Sequence, residues 1–133
     1  MEAVVEPIYE RPNGIICLER ELLVRDFVAA LNERRFGRGS TIEMLLHEDI
    51  VYRPSVGRCV RGREEVMRMC GDVNDAFEAF IMSVDWIIAE HEIVLVEHTT
   101  WAKLETTQIQ EIMGFSSFRF QNDLIVEWHQ VHA

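Results

Sequence analysis

Hydrophobic and polar positions along the chain change their period once, near residue 76, and that change divides it into a helical part and a strand part. Between about Leu18 and Arg35 the apolar residues Leu23, Phe27, Ala30 and Leu31 recur at helical spacing, with Arg20, Glu21, Arg25 and Glu33 mostly opposite. Gly37 and Gly39 are expected to stop this helix, and Ser40 with Glu43 forms a capping-box signature for a short second helix through Leu46. Ile50–Tyr52 reads as a brief strand, ended at Arg53 by Pro54, and Arg58–Val60 as another. Gly62 opens a third helix, on which Val66, Met69, Cys70 and Val73 fall three and four apart. Four long β-branched and aromatic runs follow: Phe80–Ala89, Glu92–Leu104, Thr107–Phe120 and Leu124–His132. The last two flank Gln121-Asn122-Asp123, the pattern of a tight hairpin.

The expected fold class is α+β: a cone-shaped, curved antiparallel sheet wrapped around three N-terminal helices. Such a cone leaves a pocket between sheet and helices, mostly apolar with a few placed polar groups. Residues 1–17, with Pro7, Pro12 and Gly14, are expected to form a loose arm, and residues 18–133 a single domain.

Composition narrows the partners. At 133 residues and 48% hydrophobic content the chain can bury a proper core. A formal net charge of −10 argues against nucleic acid, whose phosphates require a basic footprint. Its apolar runs are too short to span a bilayer, so no membrane partner is expected. Cys17, Cys59 and Cys70 show an odd count and no paired spacing, which fits reduced thiols in a cytoplasmic protein.

The order of elements, the run Leu45–Tyr52, the helix start Arg61-Gly62-Arg63-Glu64-Glu65-Val66, and the ending Phe118-Arg119-Phe120…Ile125-Val126-Glu127-Trp128 resemble the nuclear transport factor 2-like superfamily. Within it, the chain is most similar to the SnoaL-like polyketide cyclase and limonene-epoxide-hydrolase branches, over roughly residues 18–132. The resemblance implies a cofactor-independent site in the cone. The epoxide hydrolases' arginine and first aspartate, however, correspond to His98 and Thr100, their second aspartate to Gln130, and their asparagine to Pro54; only their tyrosine is matched, by Tyr52. Glutamine cannot draw a proton from water, so epoxide hydrolysis by that mechanism is not expected. The ketosteroid isomerases' basic aspartate corresponds to Arg53, their oxyanion-hole acid to Ser116 and their helix tyrosine to Phe27.

Strand alternation puts Trp128, Gln130 and His132 on one face and Ile125, Glu127, His129 and Val131 on the other. In the family's register the first set faces the pocket, joined by His98, Thr100, Ser116 and Phe118. The expected catalytic set is therefore His98, His132, Tyr52 and Arg53, with Thr100, Ser116, Phe118, Trp128, Gln130 and Phe27 binding substrate. No metal or cofactor is expected, since His129 and His132 point to opposite faces.

The bland readings stand beside these. A strand histidine is more often a core or rim residue, and Arg53 can pair with surface carboxylates such as Glu48 or Asp49. The leading expectation is an enzyme that isomerises, cyclises or dehydrates a hydrophobic carbonyl compound, of polyketide, terpenoid or steroid-like type. Its alternatives are a non-catalytic ligand-binding or interaction domain, and an epoxide hydrolase with a rearranged site. By analogy a homodimer is expected through the outer sheet face, with residues such as Trp101 or Ile125.

Overall fold

The computed structural model describes residues 13–132. Helix α1 spans Asn13–Asn32 and buries Val24, Phe27, Val28 and Ala30. It begins before Leu18, so residues 13–17, expected in the arm, are helical; the rest of that arm lies outside the described residues. The helix stops ahead of both glycines, because Arg34 takes a left-handed conformation (φ 62°). From there the Arg34 guanidinium donates to the carbonyls of Asn74, Phe77 and Glu78, which fixes the turn leaving the third helix.

Helix α2, Thr41–Leu45, starts as the capping box requires, with Ser40 Oγ accepting from the Glu43 amide at 3.3 Å. Strand β1 runs over Leu46–Arg53, longer than the sequence pattern suggests, and pairs with the two-residue strand β2, Val60–Arg61. Helix α3, Arg63–Ala76, follows Gly62, whose φ of 91° suits glycine at this cap.

The meander then forms as the alternation indicates: β3 Ala79–Glu90, β4 Ile93–Lys103, β5 Gln110–Gln121 and β6 Leu124–His132. Asn122 and Asp123 both take positive φ (53° and 62°), which gives the two-residue hairpin expected between β5 and β6. The sheet order is β2-β1-β6-β5-β4-β3. Antiparallel pairing describes only part of it, because β1 lies parallel to β6, with Tyr52 opposite Trp128 and Arg53 opposite His129.

Two bulges decide which side chains face the helices. A register shift between Val84 and Trp86 places Met82 and Val84 inward before it and Ile87 and Ala89 after it. A second shift pairs Ile125 with Phe120 but Glu127 with Arg119, so Ile125 turns inward and is fully buried. The expectation that Ile125 belongs to the outer face is thereby overturned: simple alternation fails across the extra residue. The core on the concave side joins Val24, Phe27 and Val28 of α1 to Val94, Val96, Phe118 and Trp128 of the sheet.

Candidate functional site

Between α3, the end of α1 and the concave sheet face lies a cavity of about 500 Å³, within the range of small-molecule sites. Leu31, Phe36, Met69, Val73, Phe77 and Phe80 supply an apolar wall. Tyr52, Thr100, Trp128, Gln130 and His132 supply the sheet wall. The closing strand contributes three of these at alternate positions, which is why its apolar pattern ends in polar residues.

Gln130 is 8% exposed, and its side-chain oxygen accepts from the Tyr52 hydroxyl at 2.5 Å. Burial pushes the Tyr52 hydroxyl above its ordinary pKa, so it stays a donor. With Oε1 engaged, the Gln130 amide nitrogen makes no hydrogen bond with the described residues, which leaves its N–H groups available to donate. The Tyr52 ring stacks on Trp128 at 3.9 Å, which holds both on the parallel β1–β6 pair.

His98 lies behind this wall. It is fully buried and does not line the cavity; its Nε2 meets Ser116 Oγ at 2.8 Å, while its Nδ1 has no partner among the described residues. Burial, with the neighbouring His132 second, lowers its pKa to about 4 against a smaller opposing effect of Asp85, so the ring is neutral near neutral pH. His132 is the exposed member of the pair, and the ring centroids are 6.0 Å apart, edge to face. Gly114 makes this contact possible by having no side chain between the two rings.

The remaining expected site residues fall into two groups. Phe27 and Phe118 pack edge to face at 5.7 Å and support Trp128 from the core rather than lining the cavity; Ser116, buried beside His98, does not line it either. Arg53 faces away from the cavity. It is exposed and its Nη1 lies 2.7 Å from His129 Nε2, because parallel pairing sets the two residues side by side on the outer face. Neither a role in the pocket nor pairing with Glu48 or Asp49 fits that position.

The cavity also takes residues the sequence reading did not place there. Arg58 comes from the loop before β2, and Cys70 and Asn74 from α3. Burial pushes the Cys70 thiol up to about 12, so it lines the wall as a neutral group. The spacing of Met69, Cys70 and Val73 signalled an apolar face without showing that part of it borders a void. Among the described residues no Asp or Glu lines the cavity, so none of them supplies from its walls the carboxylate that would activate water. Among the described residues, no group of three or more His, Cys, Asp or Glu could hold a metal ion, and no helix is long and apolar enough to cross a membrane.

The sequence pattern of the SnoaL-like domain matches residues 24–128. This chain belongs to the SnoaL-like family. Solved structures with the nuclear transport factor 2-like fold agree with that assignment. An epoxide hydrolase from M. tuberculosis superposes with a TM-score of 0.77 at 21% identity, covering 89% of this chain and 85% of its own. A protein from Jannaschia sp. CCS1, provisionally described as a SnoaL-like polyketide cyclase, gives 0.80 at 11%, covering 93% and 90%. AclR from Streptomyces galilaeus, provisionally described as a hydroxylase, gives 0.74 at 24%, covering 87% and 79%. At these identities the SnoaL-like likeness speaks for the fold alone. No curated protein matches the chain.

Proposed function

We propose that this SnoaL-like protein catalyses cofactor-independent isomerisation, cyclisation or dehydration of a hydrophobic carbonyl compound. The observation that carries the reading is the Tyr52–Gln130 hydrogen bond on the wall of an apolar cavity, with His132 two residues further along the same strand face. Tyr52 fixes the amide so that Gln130 Nε2–H donates to a substrate carbonyl oxygen, where negative charge grows as an enolate forms. His132 removes the proton from the carbon next to that carbonyl. It returns it to another carbon in an isomerisation or to a departing hydroxyl in a dehydration; in a cyclisation the enolate carbon attacks a second carbonyl, whose oxygen takes the proton. The neutral His98, packed against His132 and anchored on Ser116, is a positioning residue in this scheme.

A purified sample incubated with hydrophobic β-hydroxyketones and β,γ-unsaturated ketones should develop the absorbance of a conjugated enone. His132→Ala should lower kcat by roughly 10²–10⁴-fold. Tyr52→Phe should lower it about tenfold at nearly unchanged KM, since it releases the amide without emptying the cavity. Unchanged turnover in both variants would remove these roles. Ketones that bind without turning over would select the non-catalytic binding domain, the reading favoured by the many Phe and Met side chains in the wall.

The outer sheet face supports a homodimer. Ile81, Trp86, Ile88, Leu95, Trp101, Met113, Phe115 and Val131 are all exposed there, in a continuous cross-strand patch of the kind that marks an interface. A second copy covers it by presenting the same patch about a two-fold axis. Light scattering at micromolar concentration should give twice the chain mass, and Phe115→Lys should halve it. A wild-type protein of single-chain mass would rule the dimer out.

A further inference from the structure

Charge is distributed unevenly between this protein and its cavity. The chain has 23 Asp and Glu against 13 Lys and Arg, yet none of the described acids lines the cavity. Apart from His132, Arg58 is the one lining residue with an ionisable cationic side chain among those described. It is exposed, so it stands where the cavity reaches the surface, and its guanidinium has no hydrogen bond or ion pair with the described residues. Its charge is felt inside, where it acts to lower the Tyr52 pKa against the larger effect of burial.

Asn74, near the C-terminal end of α3, also belongs to the lining. The Asn74 side-chain oxygen accepts from Arg34 Nε at 2.5 Å, which leaves the amide nitrogen to donate. A guanidinium without a partner among the described residues and a fixed amide donor thus both belong to a lining that is otherwise mostly apolar and holds none of the described carboxylates. A neutral ligand would leave that guanidinium unused. An anionic group on the ligand would be accepted by it in a fork geometry that lysine cannot supply.

We infer that the natural ligand of this cavity is an amphipathic acid, a hydrophobic body carrying a carboxylate or comparable anion at its outer end, and that Arg58 recognises that anion. The inference rests on the proposal that the cavity binds a small hydrophobic ligand. It adds the charge of that ligand and the residue that selects it. Electrostatic attraction at the mouth also offsets the repulsion an anion meets near a chain of net charge −10.

The test uses two fluorescent probes with the same aromatic skeleton, anionic anilinonaphthalenesulfonate and neutral phenylnaphthylamine, titrated into the wild type, Arg58→Gln and Val73→Trp. Arg58 has no side-chain partner to lose among the described residues, and Val73, 37% exposed on α3, can carry a larger ring that fills the mouth. Circular dichroism confirms that each variant is folded. Wild-type protein should bind the sulfonate roughly tenfold more tightly than the amine, and Arg58→Gln should remove most of that preference while leaving the amine within about twofold. Val73→Trp should weaken both. Added salt should reduce sulfonate binding selectively. Equal affinity for the two probes in the wild type, or equal losses in Arg58→Gln, would overturn the anion assignment and leave the cavity reading standing. Failure of both probes to bind the wild type, or binding untouched by Val73→Trp, would overturn the cavity reading and this inference with it.

Discussion

Gly114→Ala should lower stability by about 1–3 kcal/mol, a Tm drop of roughly 5–10 °C, and should disturb the histidine pair at the same time. A Cβ at Gly114 would stand 2.8 Å from His98 Cε1, 2.9 Å from the Val131 carbonyl oxygen and 3.0 Å from His132 Cδ2. Rotating one flexible side chain cannot relieve this, because one neighbour is backbone of the paired strand and another is a buried ring bonded to Ser116. The relief is a shift of β6 or of both rings, and β6 carries the polar cavity wall. Gly37→Ala is the matched control, since nothing lies within 4 Å of its new carbon. Differential scanning calorimetry of the two variants checks the difference. A Gly114→Ala protein as stable as Gly37→Ala would show that the strand yields freely.

The second large effect is expected from acid. His98 is neutral in the fold, with its pKa lowered to about 4 from the ordinary 6.5. Above pH 6.5 neither the folded nor the unfolded ring binds a proton, so stability is unaffected. As pH falls from about 6.5 to 4, the unfolded ring is protonated while the buried one resists, and stability is lost. Below about 4 both are protonated and the loss is complete, on the order of a few kcal/mol. His98→Gln, which can still reach Ser116, should flatten this part of the stability profile measured by urea unfolding between pH 7 and pH 4.5. Wild-type and variant curves that fall in parallel through that window would mean that His98 is not the group responsible. Carboxylates that do not touch His98 contribute to both curves alike, so the difference between them reports His98 together with its interactions with His132 and Asp85.

The helices and the four long strands were legible in the chain because burying one face imposes a period, and Val66 with Cys70 or Trp128 with Gln130 record it directly. The Asn122-Asp123 turn was legible for a local reason, since few residues accept two successive left-handed conformations. Arg34 broke the same rule: a left-handed arginine ends α1 because its guanidinium holds three carbonyls 40 to 44 residues away in sequence, and no local preference encodes that.

Sequence by itself determined the α+β plan, the resemblance to the family and the sharing of one strand face by Trp128, Gln130 and His132, while the structure turned that face toward the cavity. Each rests on alternation or on residue order, which are properties of neighbours in the chain. Tertiary structure alone decided which of the polar candidates meet a cavity. Parallel pairing of β1 with β6 sent Arg53 outward to His129 and brought Tyr52 to Gln130. A bulge turned Ile125 into the core, and the absent side chain of Gly114 let His98 sink behind His132. Arg58 entered the lining from a loop that carries no periodic signal. Inter-strand register and the shape of a void depend on residues far apart in sequence, and one inserted residue reverses every face beyond it.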